Sequence, residues 1–447
     1  MADPDDPVDD IVGAGGPSGQ PGPRLSRAGA ALKGLAIDIT PLRASRDFRL
    51  LWIGELISTT GRQITLVALP YQIFKLTGSS LAVGMIGLVQ IVPLILFSQI
   101  GGAIADRMDR RTLILATELG LGITSGLFVV GALAHHPSLW YLYVVAGLQA
   151  GLSGVNSPTR SAAIPNLVSR QQLPAALALN QVMFNTTLIV GPAVGGVILA
   201  RLGLAWAYGL DVLTFSASVV AAVMVRPLPP TRGEGEASTG WGAIREGFSY
   251  LRGRRVLIST FVIDLDAMIF GMPRAVFPVL ALNVFKVGAE GLGLLYAAPA
   301  VGALLGALTA GWVGRVRHQG RAVIWAVGLW GLAITAFGFS GRLFALALGF
   351  LAIAGAADVI SAVFRGTILQ LSVPDALRGR LSAIHIMVVT GGPRLGDVEA
   401  GVVAQLVSPG FSVVSGGIAC LAGVILIAMF VPELARYHAG ETTDRRA

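Results

Sequence analysis

Among the charged side chains inside apolar runs, where charge is costly, nine are candidates for chemistry: Glu55, Arg62, Asp264, Asp266, Arg274, Asp358, Arg394, Asp397 and Glu399. A carboxylate in such a setting can bind and release a proton, and an arginine can pair with it. Glu55 and Arg62 are seven residues apart and share one helical face. At 1.5 Å per residue, Arg62 is roughly 20 Å into its helix. Asp264, Asp266 and Arg274 repeat that arrangement later in the chain. Arg394 and Asp397, at i and i+3, can neutralise each other on one helix, and Glu399 follows. One of these carboxylates is expected to carry a proton, with Asp266 and Asp358 as candidates. The competing reading is a static ion-pair clamp. Asp211 is expected to cap its helix or to bind backbone.

Other chemistry finds no support. A nucleotide-binding loop needs Gly-Lys followed by Ser or Thr, and none of the three lysines (Lys33, Lys75, Lys286) follows a glycine. The five histidines have no metal-ligand spacing. His385 could titrate, but a hydrogen-bonded packing role suits it better. Cys420 has no internal disulfide partner and reads as an inert buried thiol. No nucleophile–base set is visible. We therefore expect no enzyme, no cofactor and no metal.

The elements that place the nine charges follow from composition. Only 13% of the 447 residues are charged and 54% are hydrophobic; a soluble domain carries about 25% charge. The mean hydropathy is +0.72. A water-soluble enzyme, a nucleic-acid-binding domain and a secreted disulfide scaffold are excluded. Apolar stretches recur at 48–74, 81–104, 112–134, 139–161, 176–200, 204–225, 256–284, 290–313, 322–340, 343–367, 382–407 and 411–432. Each is long enough to cross a bilayer core of about 30 Å. His135 to Pro137 and Ser408 to Gly410 supply turns between adjacent spans. Arginines crowd the breaks after even-numbered spans, so that side is cytoplasmic and both termini lie there. The same bias explains the net charge of +8 without nucleic acid. Trp140, Tyr141 and Tyr143 read as an aromatic belt at the other face.

The predicted organisation is all-α. A disordered cytoplasmic tail (1–46) precedes a six-helix bundle (47–226), a central cytoplasmic loop (227–255), a second six-helix bundle (256–433) and a short cytoplasmic tail (434–447). Trp241 to Leu251 could form an amphipathic surface helix. The halves repeat at offsets of about 200–210 residues, the length of one bundle. Phe74 to Gly78 matches Phe285 to Gly288, Arg160 matches Arg365, and Gly191-Pro192 matches Gly392-Pro393. The halves then share one orientation about an axis along the membrane normal, with a substrate site between them. Gly147/Gly151 and Gly302/Gly306 read as helix-packing seams.

Gly102, Asp106, Arg107, Arg110 and Arg111, between spans 2 and 3, resemble the loop signature of the major facilitator superfamily. Gly191, Pro192, Gly195 and Gly196 in span 5 resemble its antiporter-type motif. Asp211 and the segment from Asp264 to Arg274 are similar to the drug/proton antiporter branch that includes the enterobactin exporter and macrolide efflux proteins. The resemblance implies that spans 1, 4, 7 and 10 line a central cavity, where we expect the charges above. It implies that the loop charges, with the end of span 11, form a conformational latch. The second-half copy of that loop (Gly311 to Arg317) lacks the aspartate, so the latch is expected mainly in the first half. The implied function is proton-coupled export of a small organic molecule (a drug, siderophore or secondary metabolite) by alternating access. The expected setting is the plasma membrane of a bacterium, as a monomer whose partners are substrate, protons and lipid. Alternatives are an importer or uniporter of the same fold, or a non-transporting receptor or scaffold.

Overall fold

The structure, a computed structural model, describes residues 38–105, 107–134, 137–229 and 241–438. Most of the 1–46 tail, and Asp106, His135, His136, 230–240 and 439–447, lie outside the described residues. Among the described residues there are helices and no strand.

The first half holds α1 (Arg46–Thr77), α2 (Ser80–Ala105), α3 (Arg110–Leu133), α4 (Leu139–Leu167), α5 (Leu173–Arg201) and α6 (Leu204–Val223). The second holds α7 (Arg255–Phe270), α8 (Gly288–Thr309), α9 (Gln319–Gly338), α10 (Phe344–Ser372), α11 (Asp375–Leu406) and α12 (Pro409–Phe430). Helical structure already begins within the expected tail, at Thr40–Ala44, where Pro41 is buried. Pro432–Arg436, with Leu434 buried, closes the described chain in the same way.

Among the described residues, nine segments are long and apolar enough to cross a membrane: α2, α3, α5, α6, Arg255–Val284, Gly288–Val313, α9, α10 and α12. The remaining three long helices are α1, α4 and α11, of 32, 29 and 32 residues. Their lower hydropathy has a visible cause. They carry Glu55, Arg62, Asn156, Arg160, Arg394, Asp397 and Glu399, and all three supply residues to interior polar clusters or to the central cavity.

Helix ends follow local chemistry. Ser45 caps α1 by accepting from the Phe48 N–H at 3.2 Å, and Ser408 caps α12 by accepting from Phe411 at 3.2 Å. Gly78 ends α1 at φ 65°, a left-handed conformation that glycine adopts without strain. The seventh segment is broken. After Phe270 the chain passes through Gly271 and Pro273, then a 3₁₀ turn at Arg274–Val276 and a π turn at Leu280–Val284. Pro273 has no N–H to continue the ladder. Trp330 donates to the Gly271 carbonyl at 2.8 Å and satisfies the break.

The halves meet along two seams, α2 with α11 and α5 with α8. Both are close because both are glycine-rich. A Cβ on Gly87 would lie 2.6 Å from the Arg394 carbonyl oxygen, and one on Gly401 2.7 Å from that of Ser80. In the other seam, a Cβ on Gly196 would lie 2.7 Å from the Ala289 oxygen. Ser79 hydrogen-bonds Gln405 across the halves at 2.9 Å, and Arg201 pairs with Glu290 at 3.4 Å. These contacts all lie toward the arginine-poor end. Within the halves, Gly151 seats against Phe97 of α2, and Gly302 and Gly306 against Ala352 and Ala356 of α10, as packing seams.

Candidate functional site

A cavity of 140 Å³ lies between the halves. Arg62 and Thr65 of α1, Gln90 of α2, Gln149 of α4, Arg274 beside the α7 break, Tyr296 of α8 and Asp397 of α11 reach it, among apolar neighbours. A broken helix at mid-membrane exposes backbone only where it lines a cavity, and such breaks mark binding sites in secondary transporters. Three of the nine expected charges therefore converge here: Arg62, Arg274 and Asp397. Arg274 and Arg394 are the charged neighbours of Asp397. Arg394 does not ion-pair with it directly; its Nη1 donates to the Thr390 carbonyl of its own helix at 2.6 Å.

Deeper toward the arginine-rich end, each half holds one buried arginine between two carboxylates. In the first half, Arg160 of α4 pairs with Glu118 of α3 at 2.8 Å and with Glu55 of α1 at 3.7 Å. Asn156, one turn before, donates to Glu118 at 3.0 Å and accepts from Arg160 at 3.2 Å. Ser218 of α6 completes the set at 2.8 Å. In the second half, Arg365 of α10 pairs with Asp264 of α7 and, at 3.8 Å, with Asp358. The ring of His385 lies near this group, 6.3 Å from that of Phe261. Arg160 and Arg365 are the positions that the internal repeat pairs, and Glu55 and Asp264 occupy corresponding helices.

Electrostatics gives these triads a common property. One arginine and two ionised carboxylates sum to one negative charge. One carboxylate of each triad is nearly sealed, Glu118 at 2% and Asp264 at 1% exposure. The other is partly exposed, Glu55 at 22% and Asp358 at 28%.

Three residues sit differently from expectation. Asp211 is neither a cap nor a backbone ligand through its carboxylate. It lies well inside α6, and its Oδ2 accepts from Thr65 of α1 at 2.7 Å and Ser125 of α3 at 2.8 Å. Asp266 does not reach the central cavity. It faces α12, where a Cβ on Gly423 would collide with its carboxylate, and Cys420 contacts it. Glu399 is half-buried on α11 and forms no ion pair among the described residues. Glu118 escaped the sequence reading altogether. Its signal was present, as the one charge between Thr112 and Leu133 of an apolar run.

The described residues of both motifs make close contacts within the structure. Arg110 donates to the Ala162 carbonyl of α4 at 2.9 Å; Arg111 donates to Ala222 and Val223, the last carbonyls of α6, at 3.1 and 2.6 Å. Cations at helix C-termini also suit the helix dipole. These bonds hold the loop to its own half. Among the described residues Arg107, Arg110 and Arg111 make no bond to α11, and a Cβ on Gly102 would meet open space. In α5, Gly191 seats against Gln63 of α1, Gly195 lies 3.0 Å by its notional Cβ from Ile64, and Gly196 meets α8. Pro192 presents its carbonyl to Gly293 of α8. The second-half copy behaves alike: Gly392 and Gly396 of α11 seat against Met268 of α7.

Comparison with known proteins agrees with this geometry. The pattern of the transmembrane secretion effector family matches residues 36–444. The chain is 28% identical over 409 residues to the enterobactin exporter EntS of Citrobacter koseri, covering 90% of this chain and 96% of the relative. It is 26% identical to EntS of Escherichia coli O1:K1, with the same coverage of each. A bacterial homologue of the human lysosomal transporter Spinster, inward-facing and unoccupied, superposes with a TM-score of 0.67 at 16% identity, over 87% of this chain and 96% of that one. A bacterial homologue of the iron transporter ferroportin, also inward-facing, gives 0.65 at 15% identity, over 87% and 98%. The chain belongs to the transmembrane secretion effector family of the major facilitator superfamily, and is a multi-pass inner-membrane transporter rather than an enzyme.

Proposed function

We propose that the protein exports a small amphiphilic organic molecule from the cytoplasm by alternating access, driven by inward proton flow. It acts as a monomer of twelve spans, with both termini cytoplasmic, and the captured state faces inward. The observation that carries the coupling is the pair of triads, each with one surplus carboxylate that is partly exposed. In this reading a proton on Asp358, which shares α10 with Arg365, removes the surplus and leaves Arg365 to hold Asp264 of α7 alone, and a proton on Glu55 releases the link between α1 and Arg160 of α4. The seams at the arginine-poor end support an outer face that is closed here. The role of the relatives, export of enterobactin, supports efflux as the direction.

Everted membrane vesicles test the reading, with radiolabelled enterobactin as the first probe and amphiphilic drugs from a deletion-strain susceptibility panel as the next. Uptake into vesicles that vanishes when the pH gradient is collapsed supports proton-driven export. Uptake that persists without any gradient, or movement only in right-side-out vesicles, rejects it.

A further inference from the structure

Along the α2–α11 seam, on the arginine-rich side of its glycine contacts, the helices diverge and leave a cavity of 540 Å³. Its walls are apolar: Ile91 and Ile95 of α2, Val262 of α7 and Met387 of α11. Its floor is the helix Trp241–Leu251, through Phe248, and that helix is anchored on α11 by the Arg380–Glu246 pair. Val262 and Phe248 are exposed, so the cavity opens sideways. With the orientation proposed above, it opens at the depth of the cytoplasmic leaflet.

One cation stands at its lip. Arg252 lines the cavity and pairs with no carboxylate among the described residues. Its neighbours are engaged: Arg254 stacks on Tyr250 at 3.6 Å and Arg255 pairs with Glu433 at 3.3 Å. The volume falls within the range of about 300–1,000 Å³ usual for small-molecule sites. An apolar slot open to lipid and ended by an unpaired guanidinium matches one chemistry. Hydrocarbon fills the slot, and phosphate takes the guanidinium in charge-assisted hydrogen bonds. A zwitterionic head carries its own cation and has less to gain.

We propose that a single anionic phospholipid of the cytoplasmic leaflet binds here, one acyl chain between α2, α7 and α11 and its phosphate on Arg252. This is a site distinct from the central cavity and holds whether or not transport is proton-coupled.

The full-length protein is reconstituted with phosphatidylglycerol carrying a photoreactive diazirine in one acyl chain, or with phosphatidylcholine carrying the same chain. Adducts are mapped by peptide mass spectrometry. The expected result is several-fold more adduct from the glycerol lipid on the peptides spanning 258–265 and 384–395. Arg252→Gln should bring the two lipids to parity, and Arg252→Lys should keep the preference. Met387→Trp, which fills the slot, should lower labelling by both. Equal labelling by the two lipids in the unmodified protein would overturn the proposal, as would a preference that survives Arg252→Gln.

Discussion

A half-buried carboxylate beside one arginine and one further carboxylate cannot be neutralised by that arginine alone. This is the position of Asp358 beside Arg365 and Asp264, and of Glu55 beside Arg160 and Glu118. Replacing Asp358 with Asn should therefore stop gradient-driven transport while leaving substrate exchange across the membrane intact, read as counterflow in proteoliposomes. Loss of both activities together would assign Asp358 to substrate binding or folding instead. The sealed members behave differently. Arg365→Leu leaves Asp264 buried without a partner, a loss of roughly 3–5 kcal/mol for broken buried pairs. A large fall in thermal midpoint in detergent is expected. Arg365→Leu combined with Asp264→Leu should recover most of it, and failure to recover would mean that the arginine contributes through other contacts. At this scale the sequence was legible in part. Charge inside apolar runs led to Glu55, Arg62, Arg274, Asp358 and Asp397. It did not separate Asp266, which faces α12, from Asp264 two residues earlier, because that distinction depends on which neighbour each face meets. Asp211 was read as a cap because its hydroxyl partners lie 146 and 86 residues away.

Helices here are placed by small residues more than by bulk. α5 carries Gly191 and Gly195 on the face toward α1 and Gly196 on the face toward α8, and α11 repeats the pattern toward α7 and α2. Rods that approach this closely in lipid gain van der Waals contact where no hydrophobic drive exists. Gly196→Leu should hold α5 and α8 apart at the arginine-poor end. The expected outcome is increased modification of a Cys introduced at Ala289 by an impermeant thiol reagent added outside, with transport lost. Unchanged modification would show that the seam tolerates the side chain and does not seal that face. Element boundaries were the most legible feature of all. Apolar run length and arginine-rich breaks located the long helices to within a few residues for most of them. The break in the seventh segment was not resolved, although Gly271 and Pro273 signal it. Its meaning depends on Trp330, which satisfies the freed carbonyl from another helix.

Over the whole molecule, the two halves are joined at one end and parted at the other. The joining contacts are of low intrinsic strength. Arg201 and Glu290 are well exposed, and such a pair contributes about 0–1 kcal/mol. A weak seal at that end suits the alternating access proposed above, since states separated by a few kcal/mol are both populated. The repeat in the sequence pairs positions of the two halves, but does not say which end is closed. That follows from the seams alone, where Ser79 of the α1–α2 turn meets Gln405 of α11 at 2.9 Å. Ser79→Cys with Gln405→Cys, in a Cys420→Ala background, places one thiol on each side of that contact. Alternating access predicts that oxidative cross-linking of this pair abolishes export of enterobactin or of the drug selected by the susceptibility panel, and that a reductant restores it. Full export by the cross-linked protein would contradict the account.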